Sequence, residues 1–465
     1  MSLGTRRLAA SIASLFFSVS VLAATPGPKG MAVTAFVHVN VLPMDSDRVL
    51  RDQTVLVEDG KIAAIGTSLP APAGATVIDG HGSAWLSPGL ADMHVHSDTA
   101  EDMKVYLANG VTTVLNMGHA SEGFMDSVRP ALNAGQAPGP HVYAGLLVDG
   151  SAQFGDLFVT TPDEARAIVD IAKTNGYDFI KVYNDLSPEC FQAIIDEAAK
   201  QHMRVIGHGV TRVGIEKQLA MGQIMVAHTE EFLYTVFSHP DLSLPNPAIA
   251  DPSPPKTQDI PRVIGFLKHD QAFVTADLNT YATIARQWGK PAVLAAYMRS
   301  PELRYLSPAR RMSWSKSGYV DKSGNVDANL AFLTRFTREM ADAGVLLVTG
   351  TDAPSIPGLV PGYALHDDME ALQAAGLSRY QVLAAATRTP GELISRSIPG
   401  ATPFGVVAVG DRADLILSDA DPRDDLATLR KPLGVMADGN WYDADHLRSL
   451  LEGVAQEYRE ALVPD

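Results

Sequence analysis

Six residues at or near the ends of short apolar runs are the ones that could do chemistry in this chain: His94, His96, Lys181, His208, His228 and Asp352. His94-Val95-His96 closes the run from Asp92 to His96, and alternate residues on a strand face the same side, so both imidazoles point the same way. Lys181 lies inside Phe179-Ile180-Lys181-Val182-Tyr183, where an inward, charged and unpaired lysine would be costly. His208, His228 and Asp352 end the runs Arg204 to His208, Ile224 to His228 and Leu346 to Asp352. Singly, each has a structural explanation: a hydrogen-bonded core histidine, a lysine that snorkels to water, an aspartate capping a turn. Taken together at the ends of five different runs, they are poor core filler. Imidazole, amine and carboxylate groups converging in this way are equipment for acid–base and metal chemistry.

The runs that carry them belong to a series of eight candidate strands: Asp92 to His96, Val111 to Met117, His141 to Val148, Phe179 to Tyr183, Arg204 to His208, Ile224 to His228, Phe273 to Asn279 and Leu346 to Asp352. Amphipathic stretches such as Pro162 to Asn175, Pro188 to His202 and Ala328 to Ala343 fill most intervals. Strands alternating with helices in this number predict an α/β fold, a (β/α)8 TIM barrel, with the six residues at the C-terminal ends of its strands where barrel enzymes place their sites. Ala32 to Val41, Thr54 to Val57 and Ile62 to Ile65 read as strands, and β character returns at Gly405 to Val407, Ala413 to Leu417 and Val435 to Trp441. The two ends therefore predict a small β-sandwich built jointly. The boundaries expected are a signal peptide over 1–24, sandwich parts over 25–85 and 404–445, the barrel over 86–403, and a C-terminal helix over 446–465. Residues 239–261 contain seven prolines and read as an irregular lid or linker on the catalytic face.

Composition narrows the partners. The chain has 465 residues, 46% hydrophobic and 19% charged, which suits a globular enzyme. Its formal charge of −16 disfavours nucleic acid and anionic membrane, which reward basic patches. Arg6-Arg7 followed by the apolar run Leu8 to Leu22, with small residues at Ala23 and Ala24, reads as a cleavable export signal, too short for a membrane span. That places the expected protein in the periplasm or outside the cell, without distinguishing general from twin-arginine export. The single cysteine, Cys190, excludes an intramolecular disulfide and thiolate clusters, so any metal must be held by histidine and oxygen ligands.

Asp79-Gly80, Pro88-Gly89-Leu90-Ala91-Asp92-Met93-His94-Val95-His96, Lys181, His208, His228-Thr229-Glu230-Glu231-Phe232, Gly350-Thr351-Asp352-Ala353-Pro354 and Val409-Gly410-Asp411-Arg412-Ala413-Asp414-Leu415 together resemble the amidohydrolase superfamily across nearly the whole chain. Arg304-Tyr305-Leu306-Ser307-Pro308 and Leu365-His366-Asp367-Asp368-Met369-Glu370 are similar to its imidazolonepropionase-related branch, which includes Xaa-Pro dipeptidase-like and carboxypeptidase-like enzymes. The resemblance implies a binuclear centre in which His94, His96 and Asp352 hold one metal, His208 and His228 the other, and Lys181, carboxylated by carbon dioxide, bridges them. One-metal members of the superfamily lack that lysine. Zinc suits such ligands first.

From this follows an expected reaction: hydroxide shared by two metals attacks a polarised carbonyl, with Asp352 as general base and then acid. Counting metals, carbamate, Asp352 and hydroxide leaves a formal charge of about +1, which favours a substrate carboxylate. An amide hydrolase acting on a dipeptide or N-acyl amino acid is the leading expectation. The alternatives are a lactonase, phosphotriesterase or cyclic-amide hydrolase on the same site, or a binding protein that has lost catalysis. Candidate substrate contacts are Tyr183, His119, His141, Tyr281 and Glu230, with Asn279, Tyr143 and Glu231 nearby in the sequence. The partner expected is a small molecule, and the sequence leaves room for a homo-oligomer.

Overall fold

The computed structural model describes residues 33–152, 157–237, 255–324 and 326–461. The expected signal peptide lies outside these residues, as does 239–254 of the proline-rich segment.

Both ends of the chain build one mixed sheet. Its strands are β1 (Thr34–Val41), β2 (Leu50–Glu58), β3 (Lys61–Gly66), β4 (Thr76–Asp79) and β5 (Trp85–Pro88) from the N-terminal side. From the other end come β14 (Leu415–Ser418), β15 (Gly434–Ala437) and β16 (Asn440–Asp443), in the order β16-β15-β14-β5-β1-β2-β3 with β4 on β1. The ends are stitched where β14 runs antiparallel to β5, Leu415 opposite Pro88 and Leu417 opposite Leu86. Asp59 and Gly60, with φ of 50° and 74°, turn β2 into β3 as a two-residue hairpin requires. Phe36, Val39, Val55, Ile62, Leu86, Leu415 and Met436 form the core of this unit.

The middle of the chain forms the parallel barrel: β6 (Leu90–Val95), β7 (Val111–Asn116), β8 (His141–Val148), β9 (Phe179–Val182), β10 (Arg204–Gly207), β11 (Gln223–Val226), β12 (Phe273–Thr275) and β13 (Leu346–Val348), paired in sequence order. Backbone bonds from Met93 N to Thr349 O (2.9 Å), Asp352 N to His94 O (2.8 Å) and His96 N to Ala353 O (2.8 Å) join β13 to β6 and close it. Alternate strand positions fill the interior with Ala91, Met93, Leu115, Tyr143, Phe179, Ile206, Met225, Phe273 and Val348. Helices clothe the outside. The helix Pro162–Thr174 starts from a capping box between Thr161 and Glu164 and buries Ala165, Ile168, Val169 and Ala172, the stripe that a 3.6-residue period dictates. Cys190 is buried in the adjoining core.

Several boundaries differ from expectation, among them the eighth strand, which ends at Val348 rather than Asp352. The seventh strand stops at Thr275 rather than Asn279, because Asp277 leaves the extended conformation and a helix begins at Leu278, carrying Asn279 and Tyr281. Within the proline-rich stretch, Pro261 sits in the first turn of the helix Ile260–His269, where its missing N–H costs nothing. The last helix starts earlier, at Ala444, with Asp443 as its cap, and runs to Glu460. No helix among the described residues is long and apolar enough to cross a membrane.

Candidate active site

The closure of the barrel builds the first half of the site. His94 Nε2 and His96 Nε2 lie 3.3 Å apart, and Asp352 Oδ1 is 3.1 Å from His96 Nε2 and 3.6 Å from His94 Nε2. Asp352 takes this position with φ of 58°, a left-handed conformation that aspartate tolerates better than most residues. Gly350 lets the two strands approach: a Cβ there would lie 2.3 Å from Thr275 Cγ2 and 2.8 Å from His94 Cβ. Underneath, Asp92 accepts from Thr351 Oγ1 (2.7 Å) and from the His94 N–H (3.4 Å), so one buried carboxyl braces both strand ends. Burial pushes that carboxyl up to about 7.

Lys181 is fully buried near the end of β9, and its Nζ has no hydrogen-bond partner among the described residues. It lies 5.1 Å from the centre of the Tyr183 ring, and burial pulls its pKa down to about 8. Gly207, with φ of 132°, makes room for it, since a Cβ there would come within 2.3 Å of Val182 O and 2.8 Å of Lys181 Cδ. The next residue is His208, whose Nδ1 lies 3.1 Å from both Asn184 Oδ1 and Glu231 Oε1. Glu231 is itself held by Asn184 Nδ2 (2.8 Å) and the Gly209 N–H (3.0 Å), while burial pushes its carboxyl up to about 7.

His228 stands just beyond β11 and binds Asp277 Oδ2 through Nδ1. Its ring centre is 4.2 Å from that of His94 and 4.9 Å from that of His208. The fold thus brings all six residues singled out in the sequence to one end of the barrel. Two sets of possible ligand atoms lie within 4.8 Å of one another: His94, His96 and Asp352, and His94, His228 and Asp277. Burial would raise the Asp352 carboxyl, yet the hydrogen bond and charge of His96, together with His228 and Lys181, keep the group below its ordinary range.

Asp277, Asn184 and Asp92 escaped the sequence reading. Asp277 could have been found from the polar break after Phe273-Val274-Thr275, but a strand continued to Asn279 hides it.

The candidate substrate contacts divide. Tyr183 packs against His208, tilted 30°, with ring centres 3.9 Å apart, and the His119 ring is 5.3 Å from that of His96. Glu230 opens the short helix after His228, and burial pushes its carboxyl up to about 8. Tyr281 lies on the helix after Asp277 and feels the Glu230 charge. His141 is a correction: it is the first residue of β8, and that eight-residue strand places it roughly 20 Å below the catalytic end at ordinary strand rise. There it packs beside Tyr143, and burial near Arg412 and Arg129 pushes it down to about 2. Tyr143 belongs to the barrel interior and Asn279 bonds Arg286 on its own helix.

A family model described as the amidohydrolase family matches residues 85–442. The chain spans about a third of the length of the first curated relatives it matches, among them adenine deaminase 2 of Bradyrhizobium sp. (strain ORS 278), 29% identical over 208 residues, which are 39% of this chain and 33% of that protein. Among solved structures, a bottromycin amidohydrolase superposes with a TM-score of 0.71 at 23% identity, covering 92% of this chain and 90% of the other. A Xaa-Pro dipeptidase with methionine bound in its active site superposes with a TM-score of 0.61 at 17% identity, covering 89% of this chain and all of the other. At these identities the likeness concerns the fold.

Proposed function

The chain belongs to the amidohydrolase family, and from that premise we propose that it is a binuclear metal-dependent enzyme, exported from the cytoplasm, that hydrolyses an amide bond in a dipeptide or N-acyl amino acid. Lys181 carries the reading. Its amine is buried among histidine-bearing strand ends with no hydrogen-bond partner among the described residues, and burial already favours the neutral form that carbon dioxide can carboxylate. A carbamate there would replace a cation with negative charge and two ligand oxygens.

The donor set fits two metal ions. Nδ1 is engaged on His96 by Gly118 O (3.0 Å), on His208 by Asn184 and Glu231, and on His228 by Asp277, which leaves Nε2 on each for a metal. In this reading His94, His96 and Asp352 hold one ion, His208 and His228 the other, and Lys181 lies between; nitrogen and oxygen donors suit zinc. Ions bound there would lower the pKa of a water and polarise the scissile carbonyl.

The chain's own groups move the proton. Asp352 stays ionised despite its burial, so it accepts a proton from the attacking water and returns it to the leaving nitrogen. Tyr183, its ring centre 3.9 Å from that of His208, would border a scissile group held there. Export rests on Arg6-Arg7 and the apolar run behind them.

Metal analysis of the purified protein, joined to a panel of dipeptides, N-acyl amino acids, lactones and phosphotriesters, tests the proposal. About two metals per chain and amide cleavage are expected. Isotopic labelling with 13C-bicarbonate should give a carbamate resonance that Lys181→Ala abolishes together with activity and one metal. A fully active Lys181→Ala enzyme with unchanged metal content would sink the bridging role.

A further inference from the structure

Three of the candidate ligand histidines have a partner at Nδ1, and the partners are not of one kind. His208 and His228 turn Nδ1 toward side chains, Asn184 with Glu231 and Asp277, whereas His96 turns it toward a peptide carbonyl, Gly118 O at 3.0 Å. Gly118 has φ of 132°, and a Cβ there would lie 2.7 Å from Leu147 Cβ. The residue that receives the His96 ring therefore has no side chain with which to hold itself. Its backbone must be placed from elsewhere.

Asn116, fully buried at the end of β7, meets that need. Its Oδ1 accepts from the Gly118 N–H at 2.9 Å, and its Nδ2 donates to Ser97 O at 3.0 Å. Reversing the amide would set donor against donor and acceptor against acceptor, so the two bonds fix its orientation. Ser97 follows His96 in the chain, and Gly118 takes the ring of His96. One planar amide thus ties down the backbone on both sides of the His96 hydrogen bond. A carboxylate could only accept, a hydroxyl is too short to span both groups, and a hydrocarbon could make neither bond. On either side, the Met117 N–H donates to Val95 O at 2.8 Å and the Ser121 N–H to Asp98 Oδ2 at 3.1 Å, so the two loops run locked together. Held in this way, His96 presents Nε2 3.1 Å from Asp352 Oδ1.

We propose that Asn116 is a positioning residue for the metal centre: through Ser97 and Gly118 it fixes the tautomer and the direction of the His96 ring, which keeps Nε2 aimed at the metal position. This rests on the reading of His96 as a ligand, and it extends the centre to β7, a strand that supplies no ligand in that reading.

The test uses the full-length protein, with Zn2+ in metal-buffered titrations and Co2+ as a spectroscopic probe. Asn116→Ala should weaken the binding of one metal equivalent about 10–100-fold and shift the visible absorption of the Co2+-loaded protein. Asn116→Ser, whose hydroxyl can still accept from the Gly118 N–H, should show a smaller loss, and it carries the comparison if Asn116→Ala does not fold. Val114→Ala removes buried packing from the same strand without touching the amide, and should keep wild-type metal affinity. In the metal-free protein, 15N-histidine spectra should show a slowly exchanging His96 Nδ1–H, identified by its absence from His96→Gln. Its exchange should be about tenfold faster in Asn116→Ala. Wild-type metal affinity in the folded Asn116 variants, or an equal loss in Val114→Ala, overturns the positioning role. If the wild-type protein binds no metal, the metal-centre reading fails. The exchange measurement then still decides whether Asn116 positions the ring, and an unchanged rate overturns it.

Discussion

His228 reaches Asp277 through Nδ1, so an imidazole at the end of β11 is oriented by a carboxylate just past the end of β12. A carboxylate behind a ligand imidazole fixes its tautomer and raises its basicity. Asp277→Asn keeps the size of the side chain and removes the charge. We expect it to fold normally and to bind metal about 10–100-fold more weakly. Metal-buffered titrations of wild-type and variant protein check this, and equal affinities would show that the pair is only packing.

A second prediction concerns the room left for Lys181. Gly207 combines a φ of 132° with a Cβ position 2.3 Å from Val182 O, which is backbone and unable to move aside. Gly74, with φ of 84°, has nothing within 4 Å of the same position. Gly74→Ala therefore pays only conformational strain, about 1 kcal/mol. Gly207→Ala must in addition displace β9 or β10, and we expect a loss of about 2–4 kcal/mol with reduced metal binding. Denaturant unfolding of both variants makes the comparison, and equal losses would mean that the strands separate at little cost.

What the sequence made legible follows from these two cases. His94, His96, Lys181, His208, His228 and Asp352 were readable because polar groups interrupt apolar runs at strand ends, and strand ends converge on one face in a barrel. Asp277 was not, since a polar residue in a strand-to-helix turn has a routine explanation and its partner lies 49 residues away. His141 shows the reverse error. It lies on a genuine barrel strand, but at the wrong end, and residue type alone does not tell top from bottom. The shared sheet was visible from its β-rich ends, whereas the register of Leu417 against Leu86 came only from the fold.

The junction between sheet and barrel gives a third prediction. Arg412 is buried, pairs with Asp414 at 2.5 Å and donates to Thr113 Oγ1 of β7 at 2.6 Å. Asp414 in turn accepts the Asp438 N–H at 2.9 Å. Arg412→Ala would leave Asp414 buried without its cation, a loss of about 3–5 kcal/mol. Arg412→Met with Asp414→Asn removes both charges and should be the milder change. A thermal melt in which the double variant is as unstable as Arg412→Ala would show that packing of the arginine stem, rather than charge, holds the junction.

His366, which is not among the candidate metal ligands, should give stability a dependence on pH. It is buried, with Nε2 2.9 Å from Asn109 O, an arrangement in which the neutral ring donates that proton. Burial, with the Arg430 charge nearby, pushes its pKa from 6.5 down to about 4. Above pH 6.5 neither the folded nor the unfolded chain protonates this residue, and its contribution is fully present. As pH falls from 6.5 towards 4 the unfolded chain takes up a proton that the folded one refuses, so stability is lost at about 1.4 kcal/mol per pH unit. His366→Gln can keep a donor to Asn109 O without titrating. The stability difference between wild type and His366→Gln, measured in denaturant, should therefore shift by about 2 kcal/mol against the wild type between pH 7 and pH 5. Other buried histidines titrate alike in both proteins and cancel, so an unchanged difference would mean that His366 takes up its proton equally in the folded and unfolded states.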